Sequence, residues 1–210
     1  MSDGTPSFPA SLSIDYPDHP LNKITTLFRI FTIIPIAIVL SLLTGAGYTY
    51  TVGHVTHQWF ASGGIVIFPL ILMLLFVRKY PRWWFNWNLE LTCFTYRVSA
   101  YLALLRDEYP STDEEQAVHL DLVYPDAKKD LNQAMPLVKW LLAFPHYIVL
   151  FFLGIAAFVC VIIAWFVILF TGRYPKGLFD FVVGVMRWGL RVSTYAMLLI
   201  TDRYPPFSLS

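Results

Sequence analysis

Between Pro136 and Thr171 the chain runs for 36 residues with only Lys139 and His146 as ionisable groups. Nothing else in the sequence constrains the fold as strongly, because such a run must be covered by protein or by lipid. As one helix it would extend roughly 54 Å, well beyond the ~30 Å hydrocarbon core of a bilayer. Two readings are open. The run folds back near Gly154 as a tight hairpin, or Pro145 detaches an interfacial piece and one tilted helix spans. Ile24 to Ala46 and His57 to Val77 are each long enough for one span. Thr44-Gly45-Ala46-Gly47 marks a helix stop.

Composition agrees with a lipid environment. Hydrophobic residues make up 57% of the chain and charged residues only 14%, against about a quarter in soluble domains. A net charge of +1 creates no field for nucleic acid, and no nucleic-acid-binding signature occurs. The first twenty residues lack Lys and Arg, which excludes a secretory signal peptide and leaves targeting to the first apolar span. Cys93 and Cys160 lie in different segments without a CxxC pattern, so they read as small buried hydrophobes.

An internal repeat chooses between the two readings of 136–171. LFRIFTIIP at 27–35 matches LVKWLLAFP at 137–145, setting Arg29 against Lys139 and Pro35 against Pro145. Lys79 to Leu105 aligns without gaps on Arg173 to Leu199, pairing Tyr80 with Tyr174, Arg97 with Arg191 and Tyr101 with Tyr195. LSIDYPD at 12–18 matches LDLVYPD at 120–126, and Tyr109-Pro110 matches Tyr204-Pro205. The first copy carries about sixteen extra residues before its Tyr-Pro motif. Because copy one resolves into two apolar segments, the repeat predicts two in copy two, with a hairpin at Gly154. All fifteen Lys and Arg residues then fall on one side, as the positive-inside rule asks, and both termini are cytoplasmic.

The fold class that follows is an all-α integral membrane protein of two tandem repeats. Each repeat is a transmembrane helical hairpin followed by an amphipathic interfacial helix, with short β-strands on the cytoplasmic side. A polar tail covers 1–9. Repeat one covers 10–110, with a hairpin of 24–46 and 57–77 and an amphipathic helix at 83–105. An acidic linker covers 111–117. Repeat two covers 118–206, with a hairpin of 136–153 and 155–171 and an amphipathic helix at 178–200, and 207–210 is a tail. The strands, Leu12 to Tyr16 and Val118 to Tyr124, are expected to pair with each other or with Phe207 to Leu209. An exposed edge there would suit strand addition by a partner.

Polar stripes mark both amphipathic helices: Asn86, Glu90, Cys93, Arg97 and Tyr101 in the first, Asp180, Gly184, Arg187, Arg191 and Tyr195 in the second. The favoured reading turns these arginines toward headgroups. In the alternative, Arg97 and Arg191 pack inward and meet acidic or carbonyl partners. The Tyr-Pro joints read as depth anchors, with Pro ending a helix, Tyr at headgroup level and flanking cations on phosphates. The lipid-headgroup candidates are therefore Lys79, Tyr80, Arg82, Arg97, Arg173, Tyr174, Lys176, Arg187 and Arg191.

LVKWLLAFPHYIVLFFLGIAAF, followed by AWFVILFTGRYPKGLFDFVVGVMRWGLRVSTYAMLLITDRYPPFSL, resembles the prokaryotic membrane-protein family called domain of unknown function 4389. The features are the Phe-Pro-His entry, the Phe-Thr-Gly-Arg-Tyr-Pro exit, the Arg-Val-Ser-x-Tyr helix and the terminal Arg-Tyr-Pro-Pro-Phe. Copy one departs by its inserted loop, by Lys79 in place of Arg, and by Ser111 after Tyr109-Pro110. The resemblance implies a membrane protein and brings no catalytic positions.

Chemistry is sparse. His54 and His57 form a weak metal pair, His146 reads as a satisfied interfacial histidine, and Ser99 and Ser193 lack a positioned base. No metal or cofactor is expected, and an enzyme is the least supported class. The reading is a non-catalytic multi-pass protein of the cell (inner) membrane that organises lipid or docks a partner at the cytoplasmic face. Its partners are membrane lipids, a second copy or another protein, with no nucleic acid. A small oligomeric channel or transporter is the alternative, and a lipid-acting enzyme the third.

Overall fold

The computed structural model describes residues 8–44, 48–52, 55–59, 67–112 and 114–210. The first strand, β1 (Ala10–Ile14), is followed by α1 (Lys23–Thr32) and α2 (Ile34–Thr44). A hairpin, β2 (Tyr48–Val52) and β3 (Val55–Trp59), precedes α3 (Ile67–Leu72), which continues as a π-helical turn, Met73–Val77. Then come α4 (Arg82–Leu102), β4 (Val118–Leu122), a 3-10 turn at Met135–Leu137, α5 (Lys139–Leu142), α6 (Phe144–Thr171) and α7 (Lys176–Ala196).

The expected strand pairing is present. β1 and β4 are antiparallel, with Ala10 opposite Leu122 and Ile14 opposite Val118. Alternation decides their faces: Ala10, Leu12, Ile14, Val118 and Leu120 point into the core, while Ser11, Ser13, His119 and Asp121 face outward. Phe207 to Leu209 forms no strand.

The hairpin expected at Gly154 is absent. α6 is one helix of 28 residues, about 42 Å long, and Gly154 is exposed in its middle. A lone glycine costs only about 1 kcal/mol against alanine in a helix, which an otherwise apolar run tolerates. The chain breaks instead at Ala143, because Pro145 lacks an N–H and crowds the turn before it. The corresponding break between α1 and α2 falls at Ile33, two residues before Pro35. The span expected over 57–77 is also corrected. His57 to Trp59 belong to β3, the helix begins at Ile67, and 60–66 lie outside the described residues.

Both joints have the same construction. The π turn ends at Arg78 (φ 51°) and α6 at Gly172 (φ 74°), each in the left-handed conformation that closes a helix. Two residues on, Tyr80-Pro81 and Tyr174-Pro175 restart the chain, the prolines standing extended before α4 and α7. Left-handed Leu104 (φ 63°) and Leu199 (φ 56°) then follow those helices. They align only with a one-residue offset, so the ungapped match to Leu105 and Leu199 slips by one at its end. The helices accordingly stop at Leu102 and Ala196, short of the expected 105 and 200.

The described elements stack in layers. α7 packs on β1 and α4 on β4, while α6 lies along the other side of α7 and α2 along α4. α4 and α7 are therefore a middle layer, not free interfacial helices.

Candidate functional site

Two buried cations hold the ends of the middle-layer helices. Arg29 on α1 is 2% exposed. Its Nη1 donates to the carbonyls of Tyr101 (2.8 Å) and Arg106 (2.7 Å), its Nη2 pairs with Asp107, and its guanidinium lies 4.3 Å over the Tyr101 ring. Lys139 on α5 is wholly buried: its Nζ donates to the Thr201 carbonyl (2.8 Å), pairs with Asp202 (2.6 Å) and sits 5.4 Å from the Tyr195 ring. Each aspartate also accepts an asparagine backbone N–H, from Asn22 and Asn132 respectively. Each asparagine side chain in turn accepts from the amide two residues on. Burial draws the Lys139 ammonium below its ordinary pKa, while Asp202 pulls the other way. The sequence reading paired Arg29 with Lys139 but assigned them no role. A signal was available, since an aspartate stands two residues before a Tyr-Pro in both Asp107-Glu108-Tyr109 and Asp202-Arg203-Tyr204.

The stripe arginines turn inward, which corrects the headgroup-facing expectation for Arg97, Arg187 and Arg191. Arg97 donates to the Ser111 carbonyl (2.9 Å). Arg187 donates through Nε to Leu12 (3.0 Å) and through Nη1 to Leu209 (3.1 Å). Arg191 donates to the carbonyls of Ser208 (3.3 Å) and Ser210. A guanidinium presents five donors in a rigid fork, so buried backbone carbonyls are favourable partners for it. Arg187 also occupies an outward carbonyl of β1, and Cys93 Sγ lies 3.9 Å from the Leu120 carbonyl of β4. The sheet edges expected to receive another strand are thus partly covered by this chain's own side chains.

Tyr80 and Tyr174 are buried, not placed at a wet interface. Tyr80 donates to the Leu198 carbonyl (2.6 Å), and burial raises both phenols above the ordinary tyrosine pKa. The joints are held crosswise: Tyr16 donates to the Tyr174 carbonyl and Tyr124 to the Tyr80 carbonyl, each at 2.5 Å. Lys79, Arg82, Arg173 and Lys176 are exposed, and none forms an ion pair among the described residues. Arg82 lies 5.0 Å over the Tyr124 ring, and Arg173 borders a cleft of about 210 Å³ with Tyr16, His19 and Tyr174. Of the nine candidates, these four cations remain open to a ligand.

His146 is buried in the first turn of α6. Its Nδ1 accepts from Trp188 Nε1 (3.1 Å) and its ring stacks on Phe207 at 4.0 Å. His54 lies outside the described residues, and His57 is in β3. Among the described residues no group of three His, Cys, Asp or Glu side chains is placed to hold a metal ion, and Ser99 Oγ donates to the Thr95 carbonyl.

Two stretches, Lys23–Ser41 and Phe144–Thr171, are helical, long and apolar enough to cross a membrane. Residues 135–208, roughly a third of the chain, match the family model described as Domain of unknown function (DUF4389). The match spans α5, α6, α7 and the segment carrying Asp202 and Tyr204. No curated protein and no solved structure matches the chain.

Proposed function

We propose that the chain is a non-catalytic membrane protein built from two copies of one unit, which gathers anionic lipid headgroups at its two Tyr-Pro joints. The carrying observation is the exposure of Lys79, Arg82, Arg173 and Lys176 around joints whose tyrosines are buried. The outer helices α1 and α6 present large exposed apolar side chains, including Ile24, Phe31, Phe158 and Phe170. A surface cation contributes about 1 kcal/mol on an anionic membrane, so four together distinguish anionic from neutral lipid strongly.

Duplication is supported by the matched constellations: Arg29 with Asp107 and Tyr101, Lys139 with Asp202 and Tyr195. It is supported too by the left-handed pair Arg78 and Gly172. In this reading the roughly sixteen extra residues between Pro35 and Tyr80 set α2 and α3 apart in copy one, where copy two runs unbroken as α6.

The two-hairpin topology, with every cation on one side, loses its basis once α6 is continuous. Localisation in the cell membrane stays part of the proposal, and a second copy or another protein at the exposed polar sheet face is the accessory partner. Vesicle flotation tests it. The intact protein is expected to bind phosphatidylcholine vesicles containing phosphatidylglycerol more tightly than neutral ones. Replacing the four cations with Gln should remove the difference. Unchanged preference for anionic vesicles in that variant would sink the reading.

A further inference from the structure

Resting on that membrane reading, we infer that the protein lies within one leaflet, with α6 parallel to the membrane surface, and does not cross the bilayer. What lies beside α6 fixes how it can be oriented. It runs antiparallel to α7 along its length: His146 meets Trp188 near one end, and Ala164 and Ile168 pack with Phe179 and Val182 near the other. On the opposite side of α7 lies β1, with the Tyr16 ring 5.1 Å from Phe179 and the Leu12 carbonyl bound by Arg187. From Phe179 to Arg187 the helix advances while the other chain segment runs back from Tyr16, two residues beyond β1, to Leu12 within it. Helix α6, helix α7 and strand β1 therefore share one axis, side by side.

Standing α6 upright would carry the sheet into the hydrocarbon with it. The outer face of that sheet bears Ser11, Ser13, Asp121 and the exposed pair Asp15 with His119, 3.1 Å apart. Lipid tails cannot solvate those charges, nor satisfy the edge groups of the two-stranded sheet that Arg187 and Cys93 leave uncovered. Laid flat, the same layers sort by polarity: sheet outward, α7 in the middle, and the apolar outer faces of α6 and α1 downward.

The placement of charge points the same way. One basic joint, with Arg78 Nη2 on the Lys128 carbonyl, lies at the α5 end of the long helix, where Gln133 also reaches the Leu75 carbonyl. The other lies at the far end, where Leu21 N–H donates to Gly172 (2.8 Å) and Lys23 Nζ to Phe170 (3.0 Å). An upright helix would send the two joints to opposite faces of the membrane, against the one-sided bias of basic residues. A flat one brings both to the same headgroup layer. The length of α6, about 42 Å, exceeds a ~30 Å hydrocarbon core when upright but meets no limit in the plane. The occupant of the apolar face is then a single leaflet, entered to roughly 5–10 Å.

The test uses the full chain with Cys93 and Cys160 replaced by Ala, reconstituted in phosphatidylcholine/phosphatidylglycerol vesicles. An environment-sensitive fluorophore is placed singly at Phe144→Cys, Gly154→Cys and Phe170→Cys, and quenched by lipids brominated at two acyl depths. The expected result is one shallow depth for all three; a maximum depth at Gly154→Cys would overturn the inference. In the double variant His19→Cys/Lys129→Cys, an impermeant maleimide added outside sealed vesicles should give molecules with two labels or none by mass. Molecules with one label would mean a crossing chain, as would copies standing upright around a polar lumen. Failure of the unlabelled protein to float with vesicles would instead remove the membrane reading itself.

Discussion

The ammonium of Lys139 lies 2.6 Å from the carboxylate of Asp202, at a position where the lysine is wholly buried and the chain otherwise presents apolar side chains. Taking one partner away leaves a buried charge, which costs about 3–5 kcal/mol, whereas replacing both with apolar groups is often close to neutral. Asp202→Leu, which strands the wholly buried Lys139, is therefore expected to destabilise the protein by that amount in denaturant melts, and Lys139→Met/Asp202→Leu to recover most of it. Equal loss in the single and double variants would mean that the Thr201 carbonyl contact, not the ion pair, carries the role of Lys139.

Tyr16 and Tyr124 each donate their phenol to the backbone of a distant joint. Their sites are at opposite ends of the antiparallel sheet, so the two bonds share no partner. Tyr16→Phe and Tyr124→Phe should each cost about 0.5–1.5 kcal/mol. The double variant should show their sum to within about 0.5 kcal/mol. Strong non-additivity in a thermodynamic cycle would mean that the joints are coupled.

What the sequence made legible follows from local physics. Alternation along 12–16 and 118–124 was enough to foresee two strands, with their mutual pairing one of two options left open, and a Tyr-Pro after an apolar run was enough to locate both joints. The run 136–171 was misjudged because an analogy with the first apolar stretch outweighed the modest cost of one helical glycine, although the extra residues stand only in that first stretch. The arginine stripes identified a helix face but not its neighbour. Arg187 meets carbonyls 175 and 22 residues away, and no local pattern encodes such partners. Arg29 and Lys139 stood matched but without partners, their aspartates lying 78 residues from Arg29 and, for Lys139, beyond the whole of α6 and α7.

Gly184 is where the segment after Pro205 seats on α7. A Cβ there would come within 2.9 Å of both the Leu209 side chain and its carbonyl oxygen. Gly184→Ala should push that segment away and weaken the Arg187 and Arg191 contacts, at a cost of about 1–3 kcal/mol. Faster cleavage between Arg203 and Ser210 by carboxypeptidase or trypsin is the expected readout. Leu209→Ala in the same background should not restore protection, because the atoms met are the Cβ, Cα and carbonyl oxygen of residue 209, which alanine keeps. Identical cleavage rates in wild type and Gly184→Ala would refute the seating.

Gly154 offers the opposite case and a direct check on the continuity of α6. It is exposed in mid-helix, and a Cβ built there meets nothing within 4 Å. A glycine in a turn resists substitution, whereas a glycine in an open helical position loses stability through backbone freedom alone. Gly154→Ala should therefore leave the fold intact and raise its unfolding free energy by up to about 1 kcal/mol. Gly154→Pro should cost about 3 kcal/mol or more by removing a ladder bond and kinking the helix. If residues 153–155 formed a hairpin turn, the alanine variant would be the damaging one and the proline variant tolerated. Thermal melts of the two variants side by side thus separate one helix from two by the sign of the alanine effect.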